Sequence, residues 1–189
     1  MIRLLLCLVL LACPASADPV VAAGDVLTAS FQQTRQMGGA LRPVHSRGRF
    51  LLFPERGVIW HTSEPVASYL VIDDQAMWQS VDGRKTRKIA LRRVPEARIL
   101  QTVLKAVLMR DWQQIEDRFG TRPRFDGARW KMTLDTGQGG RRAARITLTG
   151  TTFVERIDVR RNTGGHDVIE FADFSIRPAR DLAELERLF

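Results

Sequence analysis

Cysteine is almost absent from this chain: only Cys7 and Cys13 carry a thiol among 189 residues, and both lie near the N-terminus. They fall in segment 1–17, where Arg3, an apolar run over 4–12, Pro14 and the small-residue triplet Ala15-Ser16-Ala17 read as a secretory signal with its cleavage site. The run falls well short of the roughly 20 residues that a bilayer-spanning helix takes. Cleavage after Ala17 leaves 18–189 without thiol, disulfide or thiolate metal site. A second reading takes Leu10-Leu11-Ala12-Cys13 as a lipoprotein box with Cys13 acylated, but Pro14 and the Ala-Ser-Ala triplet favour release. No later stretch is apolar enough to span a membrane, so an exported, soluble, monomeric protein is expected.

Other absences remove whole classes of function. The chain has no Gly-x-Ser-x-Gly, phosphate loop, zinc motif or dinucleotide fingerprint, so neither an enzyme nor a cofactor is expected. His45, His61 and His166 are scattered without metal-ligand spacing. Asp73-Asp74 and the pair Asp167/Glu170 could be imagined as catalytic carboxylates, yet each reads as a turn or the wet face of a strand. There is no βαβ alternation, which excludes a Rossmann-type or barrel α/β fold. Without repeat, low-complexity tract or linker, 18–189 reads as one domain.

Acidic residues are also in deficit, Asp+Glu 21 against Lys+Arg 29, giving a net charge of +8 and a pI near 10.6. Export and the lack of aromatics interleaved with the basic runs argue against nucleic acid. Anionic lipid headgroups at membrane surfaces, or an acidic docking partner, fit the charge better. Arg84-Lys85-Thr86-Arg87-Lys88 and Arg141-Arg142 read as solvated strand edges that discourage aggregation.

What the sequence does contain is concentrated in 44–81. Four short runs rich in β-branched, aromatic and aliphatic residues are cut apart by Pro54-Glu55-Arg56-Gly57, Glu64-Pro65 and Asp73-Asp74. That is the pattern of an antiparallel meander. The runs Phe50-Leu51-Leu52-Phe53 and Tyr69-Leu70-Val71-Ile72 are apolar on both parities, so both faces of the sheet are expected to be covered.

Before the meander, 21–37 has Asp25 near its start, Leu27 spaced by four from Phe31 and a Gly38-Gly39 stop, which predicts an amphipathic helix. After it, Asp82-Gly83 predicts a hairpin turn and 84–91 a strand. The period then changes: Leu100, Val103, Leu104, Val107 and Leu108 follow helical spacing behind Pro95-Glu96. A second short helix is expected over 111–119, ending at Gly120. From Thr121 the period returns to two, with strands expected over 124–126, 130–135, 144–148, 153–159 and 168–176, a Gly-rich loop at 137–140 and a helical tail over 181–189.

In order and spacing, Gly48 before an apolar strand, Trp60-His61 with Pro65 beyond, and a strand ending in an acidic turn before Met77-Trp78 resemble the LolA family, periplasmic carriers of outer-membrane lipoproteins. Phe31-Gln32-Gln33, the central helical insert, Asp111-Trp112 to Phe119 and Phe171-Ala172-Asp173-Phe174 extend the resemblance over nearly all of 18–189. It implies a mainly β, α+β fold: an unclosed, curved antiparallel half-barrel of about ten to eleven strands whose helices cap a concave hydrophobic cavity. It also implies a periplasmic carrier that takes acylated lipoprotein or lipid from an inner-membrane ABC-type exporter and passes it to an outer-membrane acceptor. Many family members carry an Arg-Pro pair where this chain has Pro54-Glu55, a departure that brings it closer to LolA-related proteins of lipid or pigment export. The cargo-binding set is then Phe50, Leu52, Val58, Trp60 and Trp78 on the sheet, with Leu100, Val103, Leu104, Val107 and Leu108 as the cover. The alternative is an envelope sensor or structural module using the same fold to bind a partner protein.

Overall fold

The computed structural model describes residues 20–82, 84–90, 95–109, 111–135 and 144–182. The expected signal segment with Cys7 and Cys13, Gly83 of the expected hairpin turn, the loop expected over 137–140, Arg141-Arg142 and 183–189 lie outside the described residues. So do the side chains of Leu100, Leu108, Arg84, Lys85 and Arg87.

Eleven strands make one antiparallel sheet: β1 (Asp25–Gln36), β2 (Val44–Phe53), β3 (Gly57–Glu64), β4 (Ser68–Asp73), β5 (Ala76–Val81), β6 (Arg84–Ala90), β7 (Arg124–Asp126), β8 (Arg129–Asp135), β9 (Ala144–Gly150), β10 (Val154–Arg161) and β11 (His166–Pro178). Helices α1 (Pro95–Leu108) and α2 (Trp112–Phe119) stand between β6 and β7, and a 3-10 turn (Ala179–Leu182) follows β11. Across the sheet the order is β6-β5-β4-β3-β2-β1-β11-β10-β9-β8-β7. The chain therefore meanders outward from the centre to one edge, crosses to the other through the two helices, and winds back until β11 pairs with β1. The sheet is open, because its edges β6 and β7 do not pair with each other.

Segment 21–37 is the one element of wrong type in the sequence reading: it holds the strand β1 at the middle of the sheet, not a helix. Leu27 and Phe31 do share a face, as expected, but a spacing of four is even and serves a strand as well as a helix. Leu27, Ala29 and Phe31 point to the inner face, while Val26 points to the outer one. The long ladders to β2 and β11 on either side overrule a weak helical pattern. Of the helical tail expected over 181–189, only 181–182 are described, within the 3-10 turn.

Alternation carries each strand's apolar residues into two layers. Phe50, Leu52, Val58, Trp60 and Ile72 belong to the inner cluster with Val103, Leu104, Ala106 and Val107 of α1. Leu51, Phe53, Ile59 and Val71 form a second cluster with Val26 on the opposite face, against which Tyr69, Trp78 and Ala179 pack. The double parity of β2 and β4 thus reflects burial on both sides. In the other arm, Trp130, Met132, Leu134, Ile146, Leu148 and Ile157 continue the inner layer.

The helices are fixed by caps and by a few polar ties. Asp111 caps α2, its Oδ1 accepting from the Gln114 backbone N–H at 2.9 Å, and Gly120 ends the helix at φ 64°, a left-handed conformation that glycine adopts without penalty. Gln101 of α1, 4% exposed, donates through Nε2 to Asp74 Oδ1 at 3.3 Å, and Lys105 Nζ lies 3.5 Å from the same oxygen. These bonds tie the helix to the turn between β4 and β5. Trp112 packs edge-to-face on Trp130 at 5.8 Å, and the Trp130 indole N–H donates to the Thr151 carbonyl at 2.7 Å.

Gly48 has a steric role. It sits where the β2–β3 register shifts, and a Cβ there would meet the His61 carbonyl oxygen at 1.9 Å. Gly48→Ala should therefore destabilise the fold by about 2 kcal/mol or more, read as a lower midpoint in urea unfolding. An unchanged midpoint would show that the β2–β3 pair can part at no cost.

Candidate functional site

The inner face of the sheet divides into a packed half and a hollow half. In the packed half, Trp60 meets Phe31, Phe50 and Phe171 edge-to-face with ring centroids 5.3, 5.0 and 5.7 Å apart. Phe50 and Phe171 close the set at 5.3 Å. Edge-to-face contacts of this kind add about 0.5–1.5 kcal/mol each beyond area burial. Beside them, below Leu104 of α1, only a void of about 10 Å³ remains, lined by Leu27, Phe50, Leu52 and Phe171 among others. That is about one water's worth of space and too small for any cargo.

The hollow half is a cavity of about 490 Å³, within the roughly 300–1,000 Å³ of small-molecule sites. Its apolar wall comes from both arms of the sheet: Val58, Trp60, Leu70, Ile72 and Met77 on one side, Ile146, Val159 and Ile169 on the other. Leu104 stands between this cavity and the small void and lines both. Register explains the convergence. Trp60 pairs with Leu70, Val58 with Ile72 and Ile72 with Met77, while Ile146 pairs with Val159, so each row of partners points the same way.

Where β1, β3 and β10 end and β2, β4 and β11 begin, the wall turns polar, with Gln33, Ser46, Thr62 and Ser68 in the lining; Gln79 and Gln101 also line the cavity. Here Asp167, 3% exposed, accepts from Arg35 Nε at 3.3 Å through one oxygen and from Arg161 Nη2 at 2.9 Å through the other. Both arginines remain partly open to solvent, 51% and 39% by side chain. The expectation that Asp167 and Glu170 share a wet strand face is corrected: a separation of three puts them on opposite faces. Asp167 is buried inward, and Glu170 pairs outward with Arg156.

Of the expected cargo-binding residues, Val58, Trp60 and Leu104 line the cavity. Phe50 and Leu52 line the adjoining small void, and Val103 and Val107 are buried in the same inner cluster. Trp78 is a correction. It pairs with Val71 and packs in the outer cluster, so the inward residue of β5 is its neighbour Met77. The chain separation of 132 between Arg35 and Asp167 hid that contact from sequence reading, since only the β1–β11 register brings them together.

His61, on the outer face, stacks on Tyr69 at 4.2 Å with its pKa lowered, first by burial and then by Arg49. Among the described residues no group of His, Cys, Asp and Glu could hold a metal ion, and no helix is long and apolar enough to cross a membrane.

By sequence, the chain matches no protein family and no curated protein. Similar solved structures include a LolA superfamily protein from Nitrosomonas europaea, at 11% identity and a TM-score of 0.45, covering 84% of this chain and 89% of that one. Another is a domain described as that of an outer membrane lipoprotein-sorting protein from Vibrio parahaemolyticus, at 9% identity and TM-score 0.46, covering 82% and 86%. A DUF1329 family protein from Desulfovibrio piger follows at 10% identity and TM-score 0.37, covering 82% and 86%. Likeness at these scores carries no functional argument.

Truncating Leu104 to Ala should join the small void to the cavity and lower stability by about 2–5 kcal/mol, the range for buried leucines that leave a hole. Chemical denaturation measures the loss. A change below about 1 kcal/mol would mean that α1 is not packed on the sheet through this residue.

Proposed function

We propose that this protein is an exported carrier that takes acyl chains, of lipoproteins or of a related lipid, into the cavity beside α1 and moves them across the periplasm from the inner to the outer membrane. The observation that carries this reading is the apolar trough of about 490 Å³ that the two arms of the sheet leave open next to a closely packed core. A wall of branched aliphatic side chains, Met77 and one tryptophan offers non-directional burial and no catalytic group. It suits a flexible hydrocarbon that must be held without being read atom by atom.

Magnitudes agree with a transfer role. Burying about twelve methylenes is worth roughly 10 kcal/mol gross at about 0.8 kcal/mol each. Immobilising cargo and carrier takes back a large part of this. What remains is compatible with cargo that is held in water and still released.

The donor would be an ABC-type exporter and the recipient an outer-membrane acceptor, with transient contact at membrane surfaces. Support for such contact comes from the loops beside the polar end of the cavity. Met37, Leu41 and Val44 between and at the start of these strands, and Val66 between β3 and β4, are exposed apolar residues. Excess basic charge over the whole chain adds attraction to anionic headgroups.

Organic extraction of the purified protein followed by mass spectrometry tests the reading. Acylated peptide or free lipid is expected from the wild type, and Leu104→Glu should lose it while the β-sheet circular-dichroism signal persists. An empty wild-type extract, together with stable co-purification of a membrane-anchored regulator, would overturn the carrier in favour of a sensor.

A further inference from the structure

The charged residues lining the cavity are two arginines and one aspartate, so the polar end carries a net positive charge in an otherwise uncharged wall. The two cations are not consumed by the one anion. Asp167 spends one oxygen on each guanidinium, through Arg35 Nε and Arg161 Nη2. A guanidinium has five N–H donors, and among the described residues neither side chain meets another acceptor. Each is therefore oriented by a buried carboxylate, lines the cavity, and has donors left without an acceptor among the described residues.

A pair built only to neutralise Asp167 would need one arginine. The second, on a different strand, makes a two-pronged cationic cradle held in fixed geometry by a shared anion, the arrangement that recognises oxyanions bidentately. The hydroxyls of Ser46, Thr62 and Ser68 and the amide of Gln33 line the same end and add neutral hydrogen-bonding groups.

Below the cradle the wall becomes hydrocarbon within one inward step on β10 (Arg161 to Val159), β11 (Asp167 to Ile169), β3 (Thr62 to Trp60) and β4 (Ser68 to Leu70), while β1 passes through Gln33 first. From Asp167 the next inward residue of β11 in the cavity wall is Ile169, roughly 7 Å on at about 3.3 Å per residue. Polar head and apolar tail positions thus follow each other along a single cavity.

We propose that Arg35 and Arg161, positioned by Asp167, bind the oxyanion of an amphiphile's head, carboxylate or phosphate, while its chain occupies the apolar wall. This inference rests on the carrier reading and specifies its ligand class: a singly tailed or locally extended anionic lipid enters with its head left at the polar end. Asp167 is here a positioning residue and also a competitor, since it occupies donors that the ligand's oxygens would use.

The test is displacement of an uncharged naphthylamine dye from the lipid-stripped protein at mildly alkaline pH. The probes are palmitate, cetyl phosphate, monopalmitin and inorganic phosphate. Palmitate and cetyl phosphate should bind at least about tenfold more tightly than monopalmitin, whose head is neutral. In Arg35→Gln/Arg161→Gln that ratio should fall toward one, and in Asp167→Asn, which keeps a side-chain oxygen to hold a guanidinium but removes the competing charge, it should rise. Circular dichroism checks the fold of each variant. If the double variant does not fold, the single variants Arg35→Gln and Arg161→Gln decide: a fall in the ratio in each supports the cradle and an unchanged ratio in both overturns it.

Equal affinity for charged and neutral heads in the wild type would overturn the cradle and leave the carrier standing. Failure of every lipid to displace the dye would overturn the carrier and the cradle together. Inorganic phosphate binding as tightly as cetyl phosphate, with the same dependence on the arginines, would show a free-anion site and overturn the amphiphile assignment.

Discussion

The structure depends on a crossing. Because β1 and β11 pair at the centre of the sheet, β6 and β7 stand at opposite edges, and the chain between them must traverse the inner face. It does so as helix α1, of 14 residues, and α2, of 8 residues. A helix of that first length extends about 21 Å and is about 10–12 Å wide. Eleven strands at about 4.8 Å spacing span about 48 Å before curvature. Two short helices cannot cover such a surface, so an apolar inner face is left partly unfilled. The cavity is the geometrical remainder of the topology, and its position beside α1 follows from the path of the crossing.

The two halves of the inner face consequently do different work. Beneath α1, four aromatic rings and the buried Val103, Leu104 and Val107 make a solid core whose remaining void is negligible. That core supplies the rigidity against which the hollow can be held open. What ties the helix laterally is modest: one amide and one ammonium group sharing the Asp74 carboxylate, which is itself 71% exposed. With its carboxylate this exposed, the Lys105–Asp74 ion pair contributes about 0–1 kcal/mol. The helix is held chiefly by apolar burial, an interaction that an entering hydrocarbon chain can replace in kind.

Much of this was legible in the sequence, and the failures have physical causes. The 44–81 meander and the α1 stripe were readable because each rests on a strong, local period: double parity where both faces are buried, and the 3-4 spacing from Leu100 to Leu108. β1 was misread because Leu27 and Phe31 satisfy either period and the deciding information lies in its neighbours, β2 and β11. Trp78 was assigned to the wrong face because parity does not pass through a turn by counting. The β4–β5 turn sets Met77, not Trp78, opposite Ile72. Arg35, Asp167 and Arg161 were invisible as a group because strand register across the centre of the sheet assembles them, and no local pattern encodes it.

On the carrier reading, the hollow half of the inner face takes up hydrocarbon in place of water. Apolar burial leaves a heat-capacity signature that hydrogen bonding to a surface does not. Calorimetric titration of the lipid-stripped protein with a neutral acyl ligand, repeated at several temperatures, measures it directly. Saturable binding with a clearly negative heat-capacity change is expected. No saturation, or a heat-capacity change near zero, would contradict it.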